Sequence, residues 1–187
     1  VTNIPRVVGS FDETGLDMAH DFYVSIIDGE IRKMRSIREA EAVKIVENSF
    51  RDINIAFVNE LARSFDVLGI DVKDVILGAA TKPFAFMAHF PSCGVGGHCI
   101  AVDPWFLVHG APDQSRLIRT AREVNLAKTA HVIGAAEVLV SQHPEARVAC
   151  LGLAFKPNID DFRESPAVEV AAALARRFGQ QIRIVEP

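Results

Sequence analysis

The segment from Ser36 to Leu68 contains neither glycine nor proline, and this run constrains the fold more than any other feature of the chain. Ser36 and Glu39 have the capping-box spacing of a helix start, and Gly69 is typical of a helix end. A helix of this length spans about 50 Å, which exceeds a small domain, so we expect a partner helix to cover it. Its apolar positions recur with a period near 3.6: Ile37, Ala40, Val43, Val46, Phe50, Ile53, Ala56, Phe57, Leu61 and Phe65.

Weaker patterns predict most of the other elements. Residues 1–14 are interpreted as an extended lead-in, and the apolar spacing of Leu16–Ile27 predicts a helix. A short helix is predicted for Val72–Ala80 and a second long helix for Ser115–Gln142. Residues 83–104 combine phenylalanines, glycines and two cysteines without any period, which predicts a functional loop.

The last forty residues predict one βαβ unit. Strands are predicted for Arg147–Phe155 and Gln181–Val185, and Ser165-Pro166 is typical of a helix start for the helix between them. A single unit of this kind leaves sheet edges and one face uncovered. Because Val1 is also not a start methionine, we expect the chain to be a piece of a longer protein.

Composition excludes several classes of protein. The 187 residues are 49% hydrophobic and 24% charged, as in ordinary globular domains. Twenty basic and twenty-four acidic residues give a net charge of −4, so neither nucleic acid nor an anionic membrane is expected as a partner. No apolar run reaches the roughly 18 residues of a membrane span. Three cysteines without a signal segment favour reduced thiols and a cytoplasmic location.

Cys99 is the first candidate for chemistry because it follows the glycine turn Gly94-Val95-Gly96-Gly97-His98. Small residues expose backbone N–H groups, which can hold an anion or an oxyanion and favour a nucleophilic thiolate. Two alternatives stay open: a packed free cysteine, and a metal site. The metal site would use four residues but lacks a paired C-x-x-C motif: Cys93, His98, Cys99 and Asp103.

Polar residues on the long helix and after Cys99 form a second group of candidates. Lys44, Asn48 and Arg51 have helical spacing and share a stripe that would suit a phosphorylated ligand, although a solvated face has the same pattern. Asp103 could polarise a water near the thiol, and it could also be the N-cap of a helix that begins at Pro104.

The loop after the first strand of the βαβ unit is also charged, through Lys156, Asp160, Asp161, Arg163 and Glu164. Ligands of open α/β sheets bind beyond the carboxyl ends of strands, but a solvent-exposed loop has the same composition. The sequence contains no Gly-x-Gly-x-x-Gly. Elsewhere, Asn59-Glu60 is interpreted as a polar contact between packed helices and Cys150 as a core residue.

Three stretches carry a resemblance to a known family: EAVKIVENSFRD at 41–52, GVGGHCIAVDP at 94–104, and GLAFKPNIDD at 152–161 followed by RESP at 163–166. In this order and spacing they resemble the UDP-glucose/GDP-mannose dehydrogenase family, and within it the branch acting on UDP-N-acetylmannosamine. Members of the family have an N-terminal Rossmann domain for NAD, a helical middle domain and a C-terminal Rossmann-like domain for the UDP-sugar.

The resemblance implies a mostly α fold with a partial α/β unit. Residues 1–30 would be the tail of the NAD-binding domain with a connecting helix. Residues 31–143 would be the helical middle domain, which carries the catalytic cysteine and forms a homodimer through its long helix. Residues 144–187 would begin a truncated UDP-binding domain. NAD would then be bound mainly outside this chain, which alone would be inactive.

The resemblance also implies a reaction, the NAD-dependent oxidation of a sugar C6 alcohol to the uronic acid for surface polysaccharide precursors. Cys99 would form a thiohemiacetal and then a thioester. Lys44 and Asn48 would hold the reacting oxygen and a water, and Asp103 would assist proton transfer. The other matched residues would contact the UDP-sugar or, for the last of them, NAD: Arg51, Gly96, Phe155, Lys156 and Arg163. No metal is implied.

Two stretches depart from the family pattern. The chain has Pro91-Ser92-Cys93-Gly94 where the family usually has Pro-Gly-x-Gly, and Lys82-Pro83-Phe84 where the mannosamine branch has His-Pro-Arg. The alternatives are therefore a dehydrogenase of UDP-glucose or UDP-N-acetylglucosamine, and a catalytically inactive dimerisation module.

Overall fold

The computed structural model describes residues 2–156 and 158–186, so Pro157 of the predicted charged loop lies outside the described residues. The chain forms two compact units, Val1–Glu47 and Asn48–Pro187. The predicted fold class is confirmed, since helices predominate and the strands form two small parallel sheets.

The first unit is a βαβ arrangement that the sequence did not predict. Strand β1 (Arg6–Val8) pairs in parallel with β2 (Ile31–Lys33), and helix α1 (Glu13–Val24) packs against both. The predicted extended lead-in over 1–14 is extended at β1, but its pairing in a sheet was not predicted, because a three-residue strand is too short to display a period. The predicted domain boundary after residue 30 falls inside this unit, between the paired strands.

Helix α1 begins three residues before the predicted start. Asp12 is its N-cap, and the Asp12 carboxylate accepts a hydrogen bond of 2.7 Å from the N–H of Gly15. The helix therefore starts at a capping side chain rather than at the first residue of the apolar pattern.

Helix α2 (Ile37–Leu68) confirms the long helix, and the capping box at its start is shifted. The Ser36 hydroxyl accepts a hydrogen bond from the Glu39 N–H at 3.2 Å, as predicted. The Glu39 carboxylate accepts from the N–H of Arg35 at 3.0 Å, one residue earlier than in the standard box.

The second unit packs helices around α5 (Arg116–Gln142), which both α4 (Asp103–Gly110) and α6 (Pro166–Phe178) contact. Helix α3 (Val72–Ala79) follows α2 as predicted. The buried aliphatic side chains of this unit are Ala56, Val58, Ile76, Ala101, Val108, Ala121, Val140, Ala171, Leu174 and Ile182.

The predicted C-terminal βαβ unit is confirmed. Strand β3 (Val148–Leu151) pairs in parallel with β4 (Ile182–Val185), and α6 lies between them in sequence. The strand predicted for Arg147–Phe155 was too long, because the backbone turns at Gly152, where φ is +80°. Phe155 consequently lies in a loop rather than in the sheet. Among the described residues, no helix has the length and hydropathy to cross a membrane.

Candidate active site

Cys99 lies in a tight turn immediately before α4. Its carbonyl oxygen accepts hydrogen bonds from the N–H of Val102 at 3.1 Å and of Asp103 at 2.8 Å. The residue is exposed, whereas Cys93 and Cys150 are partly buried, and all three are free thiols. Cys99 is therefore the most accessible candidate nucleophile of the three. Burial also raises the pKa of the Cys93 thiol, which disfavours its reactive thiolate form.

The glycine turn before Cys99 packs closely on the loop that follows β3. The Gly97 N–H donates to the Arg163 carbonyl at 3.0 Å. A Cβ atom built on Gly96 would lie 2.7 Å from the Phe155 Cβ and 2.8 Å from the Glu164 carbonyl oxygen. At Gly97, where φ is +85°, it would lie 2.8 Å from the Phe155 ring. The glycine turn and the loop that follows β3, which are distant in sequence, are thus in direct contact.

This packing corrects one part of the anion-binding hypothesis. Because the Gly97 N–H already donates within the protein, it is not available to an oxyanion. The glycines at 96 and 97 permit close docking, which is a separate reason for a residue without a side chain.

Asn48 and Asp103 are direct partners. The Asn48 side chain is 5% exposed, and its Nδ2 donates to the Asp103 Oδ2 at 2.6 Å. Asp103 is the first residue of α4, and Val102 is the N-cap. The N-cap prediction for Asp103 was therefore wrong, because its carboxylate accepts from α2 instead of from its own helix.

The other two residues of the predicted donor stripe are exposed. Lys44 belongs to the first unit, where its Nζ lies 3.7 Å from the Glu47 carboxylate. It also borders a cavity of about 480 Å³ together with Arg6 and Arg32. Arg51 is exposed on the part of α2 that belongs to the second unit. A common ligand for the stripe stays a prediction.

Lys156 lies in the loop that follows the carboxyl end of β3, and its role in binding a ligand stays a prediction. It is exposed and borders an open cavity of about 780 Å³ with Gly152, Asn158 and Asp160. This is the position at which open α/β sheets bind ligands.

Arg163 forms a two-pronged ion pair with Asp161. Its Nε lies 2.9 Å from the Asp161 Oδ1, and its Nη2 lies 2.7 Å from the Oδ2. The hydrogen bonds from Arg163 lower the pKa of Asp161 to about 2. Arg163 is thereby held on the same surface as the glycine turn, whose Gly97 bonds to its carbonyl.

Sequence reasoning missed a buried polar cluster between α2 and α5. Asp52 is fully buried, and its Oδ1 accepts from the Arg122 Nη1 at 2.7 Å and the Asn125 Nδ2 at 2.9 Å. Burial raises the pKa of Asp52, although Arg122 and Asn125 oppose that shift. The Asn59 Nδ2 donates to the Asn125 Oδ1 at 3.0 Å, which confirms the predicted helix–helix contact for Asn59. Glu60 is exposed.

The sequence held a signal for this cluster. On α2, the polar residues at 52 and 59 are seven apart and share a face. On α5, those at 122, 125 and 129 have the same kind of helical spacing. Among residues 2–156 and 158–186, no three His, Cys, Asp or Glu side chains are arranged to hold a metal ion.

The chain matches known proteins over nearly all of its length. The UDP-glucose/GDP-mannose dehydrogenase family matches through its central domain at residues 38–127 and its UDP binding domain at 149–187. UDP-N-acetyl-D-mannosamine dehydrogenase of Campylobacter jejuni is 44% identical over 97% of this chain and 44% of its own. NDP-N-acetyl-D-galactosaminuronic acid dehydrogenase of Ralstonia nicotianae is 42% identical over 97% of this chain and 43% of its own.

A solved structure shares the fold. UDP-D-ManNAc dehydrogenase of Pyrococcus horikoshii superimposes with a TM-score of 0.89 and 35% identity, over 100% of this chain and 45% of that one. The chain thus spans less than half the length of the relatives it matches. The matches in sequence, domain order and fold agree, and the chain belongs to the UDP-glucose/GDP-mannose dehydrogenase family.

Proposed function

We propose that the protein oxidises the C6 alcohol of a UDP-sugar, UDP-N-acetylmannosamine, to the uronic acid with NAD as the oxidant. The observation that carries this proposal is the docking of the glycine turn on Phe155 and Arg163. It joins the exposed thiol of Cys99 to the loop beyond β3, which is where a nucleotide-sugar would bind. When bound, NAD would supply the hydride acceptor for both oxidation steps.

Cys99 is the proposed nucleophile. After the first oxidation its thiolate attacks the aldehyde carbon, and the aldehyde oxygen takes up a proton to give a thiohemiacetal. Loss of a hydride from the adduct carbon and of the proton from its hydroxyl converts this adduct to a thioester. Water then attacks the carbonyl carbon, the C–S bond breaks, and the carboxylate and the thiol are released. The exposure of Cys99 supports this role.

Asn48 is proposed to hold the reacting oxygen and a water, and Asp103 to assist proton transfer. Their 2.6 Å hydrogen bond orients a carboxylate one turn beyond Cys99, at the start of α4. A carboxylate held in this way can accept a proton from an attacking water. Lys44 is the proposed second donor to the reacting oxygen.

The UDP-sugar contacts are proposed to come from Arg51, Gly96, Phe155 and Lys156. The exposed ammonium of Lys156 beside an open cavity suits a diphosphate. Arg163 fits NAD only as one contact, since two of its guanidinium nitrogens bind Asp161. A phosphate would meet the remaining edge of that guanidinium.

We also propose a homodimer through α2. Phe50 and Phe57 are seven residues apart on this helix and remain 50% and 53% exposed. A large apolar stripe of this kind favours burial against a second copy of the chain.

The test of the proposed function is an assay of the full-length protein that carries this chain. Uronate and NADH are measured with UDP-N-acetylmannosamine, UDP-N-acetylgalactosamine, UDP-glucose and UDP-N-acetylglucosamine. We expect two NADH per sugar and the highest kcat/KM for the mannosamine substrate. Cys99→Ser abolishes uronate formation, and the matched control Cys150→Ser does not.

Asp103→Asn is expected to lower kcat by about 10²–10⁴-fold, as for loss of a general acid–base. Preference for another of the four sugars would correct the substrate. Full activity of Cys99→Ser would refute the cysteine mechanism. If the wild-type protein forms no NADH with any of the four UDP-sugars, the inactive dimerisation module is favoured instead.

A further inference from the structure

We propose that Asp52, Asn125 and Asn59 form a positioning relay that anchors the cysteine loop (residues 83–102) to α2 and α5. The proposal rests on the proposed function only in taking Cys99 as the reactive group of that loop. All three relay residues are at least 95% buried, between the two long helices. Buried polar groups are costly when they lack a hydrogen-bond partner, so the bonds that these residues do make are strongly favoured in the fold.

All hydrogen bonds of the relay are donated toward Asp52, because the Asp52 carboxylate and carbonyl can only accept. The Asn125 amide nitrogen donates to both the Oδ1 and the backbone carbonyl of Asp52, at 2.9 and 3.0 Å. Because neither oxygen can donate, the Asn125 Oδ1 must face the other way, toward the Asn59 amide nitrogen. That leaves the Asn59 oxygen as an acceptor at the far end. Arg122, with its Nη1 2.7 Å from Asp52, supplies the balancing charge.

The far end of the relay holds the backbone of the cysteine loop. The Asn59 Oδ1 accepts from the Ser92 N–H at 2.9 Å. On the next residue, the Cys93 carbonyl accepts from the Thr129 hydroxyl of α5 at 2.9 Å. Two consecutive residues are thus fixed, one by each long helix, seven and six residues before Cys99. The segment that presents the thiol starts from a rigid point rather than from a free loop.

Cys93 is a built-in probe of this anchor. Its thiol is partly buried, and its backbone carries one of the two anchoring bonds and directly follows the other, so we expect release of the backbone to expose the thiol. The experiment measures iodoacetamide labelling of the folded chain by mass spectrometry, as the rate at Cys93 divided by the rate at Cys150. Asn59→Leu removes the acceptor for Ser92. We expect the ratio to rise about tenfold, the size of one hydrogen bond of about 1.4 kcal/mol.

Thr129→Val is the second variant, because it is nearly isosteric and removes only the hydroxyl that holds Cys93. We expect the same ratio to rise about threefold or more. Val140→Ala is the matched control: it truncates a buried residue of α5 outside the relay. It lowers the urea midpoint of unfolding without changing the labelling ratio.

Three outcomes would overturn the relay: an unchanged ratio in both variants, a decrease in either, or an equal rise in the Val140→Ala control. Labelling of Cys99 in the same digest tests the proposed nucleophile separately. A wild-type protein labelled mainly at Cys150 would contradict the cysteine mechanism. The change of the Cys93 to Cys150 labelling ratio between the variants and the wild-type protein would still test the relay. The two failures are therefore distinguishable.

Discussion

Gly96→Ala tests whether close docking of the glycine turn stabilises the second unit. A Cβ at this position would meet the Phe155 Cβ at 2.7 Å, the Glu164 carbonyl oxygen at 2.8 Å and the Pro166 Cδ at 2.9 Å. The first two atoms belong to or adjoin the backbone, so neither can rotate away. The loop that follows β3 must shift, and overpacking of this kind costs about 1–3 kcal/mol.

Gly134→Ala is the matched control, because it is the same substitution with the opposite expected sign. Gly134 lies within α5, and a Cβ there would meet no atom within 4 Å. Alanine in a helix interior is more favourable than glycine by about 0.8–1 kcal/mol. We expect the control to raise the free energy of unfolding and Gly96→Ala to lower it.

The assay is urea unfolding followed by the fluorescence of Trp105, the single tryptophan of the chain, which lies on α4. The difference between the two variants should be about 2–4 kcal/mol, the sum of the two effects. A Gly96→Ala variant as stable as the wild-type protein would refute the docking argument. A destabilised Gly134→Ala variant would show that the glycine contacts are misjudged.

Three further measurements follow from the site. The pKa of Asp161 in the folded chain is depressed, so the stabilisation from its pairing with Arg163 is complete above the ordinary value of 3.8 and is lost as pH falls through about 2. Carbon NMR of the Asp161 carboxyl should give a titration midpoint at about 2, and a higher midpoint in Arg163→Gln. Arg122→Met leaves the Asp52 carboxylate buried without its cation and should cost about 3–5 kcal/mol in urea unfolding, less when combined with Asp52→Leu. The chain should sediment as a dimer at micromolar concentration and Phe57→Lys as a monomer, whereas a monomeric wild-type chain would contradict the α2 interface.

Long-range periodicity and local end signals predicted the larger elements well. The run without glycine or proline gave α2, and the Ser165-Pro166 pair gave the start of α6. The Ser165 hydroxyl, however, bonds to the Leu153 carbonyl rather than to a helix N–H. The residue at which a helix starts was predictable because it depends on neighbouring residues. The partner of the Ser165 hydroxyl was not, because it lies on a segment twelve residues earlier.

Short strands and tertiary partners were not predictable for the same reason. Strand β1 has only three residues, and it is defined by pairing with β2 rather than by its own pattern. Asp103 precedes a proline, as a capping residue often does, but Asn48 binds its carboxylate across 55 positions of sequence. The cluster around Asp52 lay on two predicted helices, and only their packing shows which polar faces meet.

The glycine turn shows how one sequence pattern can serve two physical needs. From sequence, the glycines before Cys99 suggest free N–H groups for an anion. In the fold, the Gly97 N–H is already used by Arg163, and both Gly96 and Gly97 are pressed against the Phe155 side chain. A substitution there would therefore displace the loop beyond β3 before it altered any donor. Since that loop also carries Lys156, the glycines link the thiol to the proposed diphosphate site through packing.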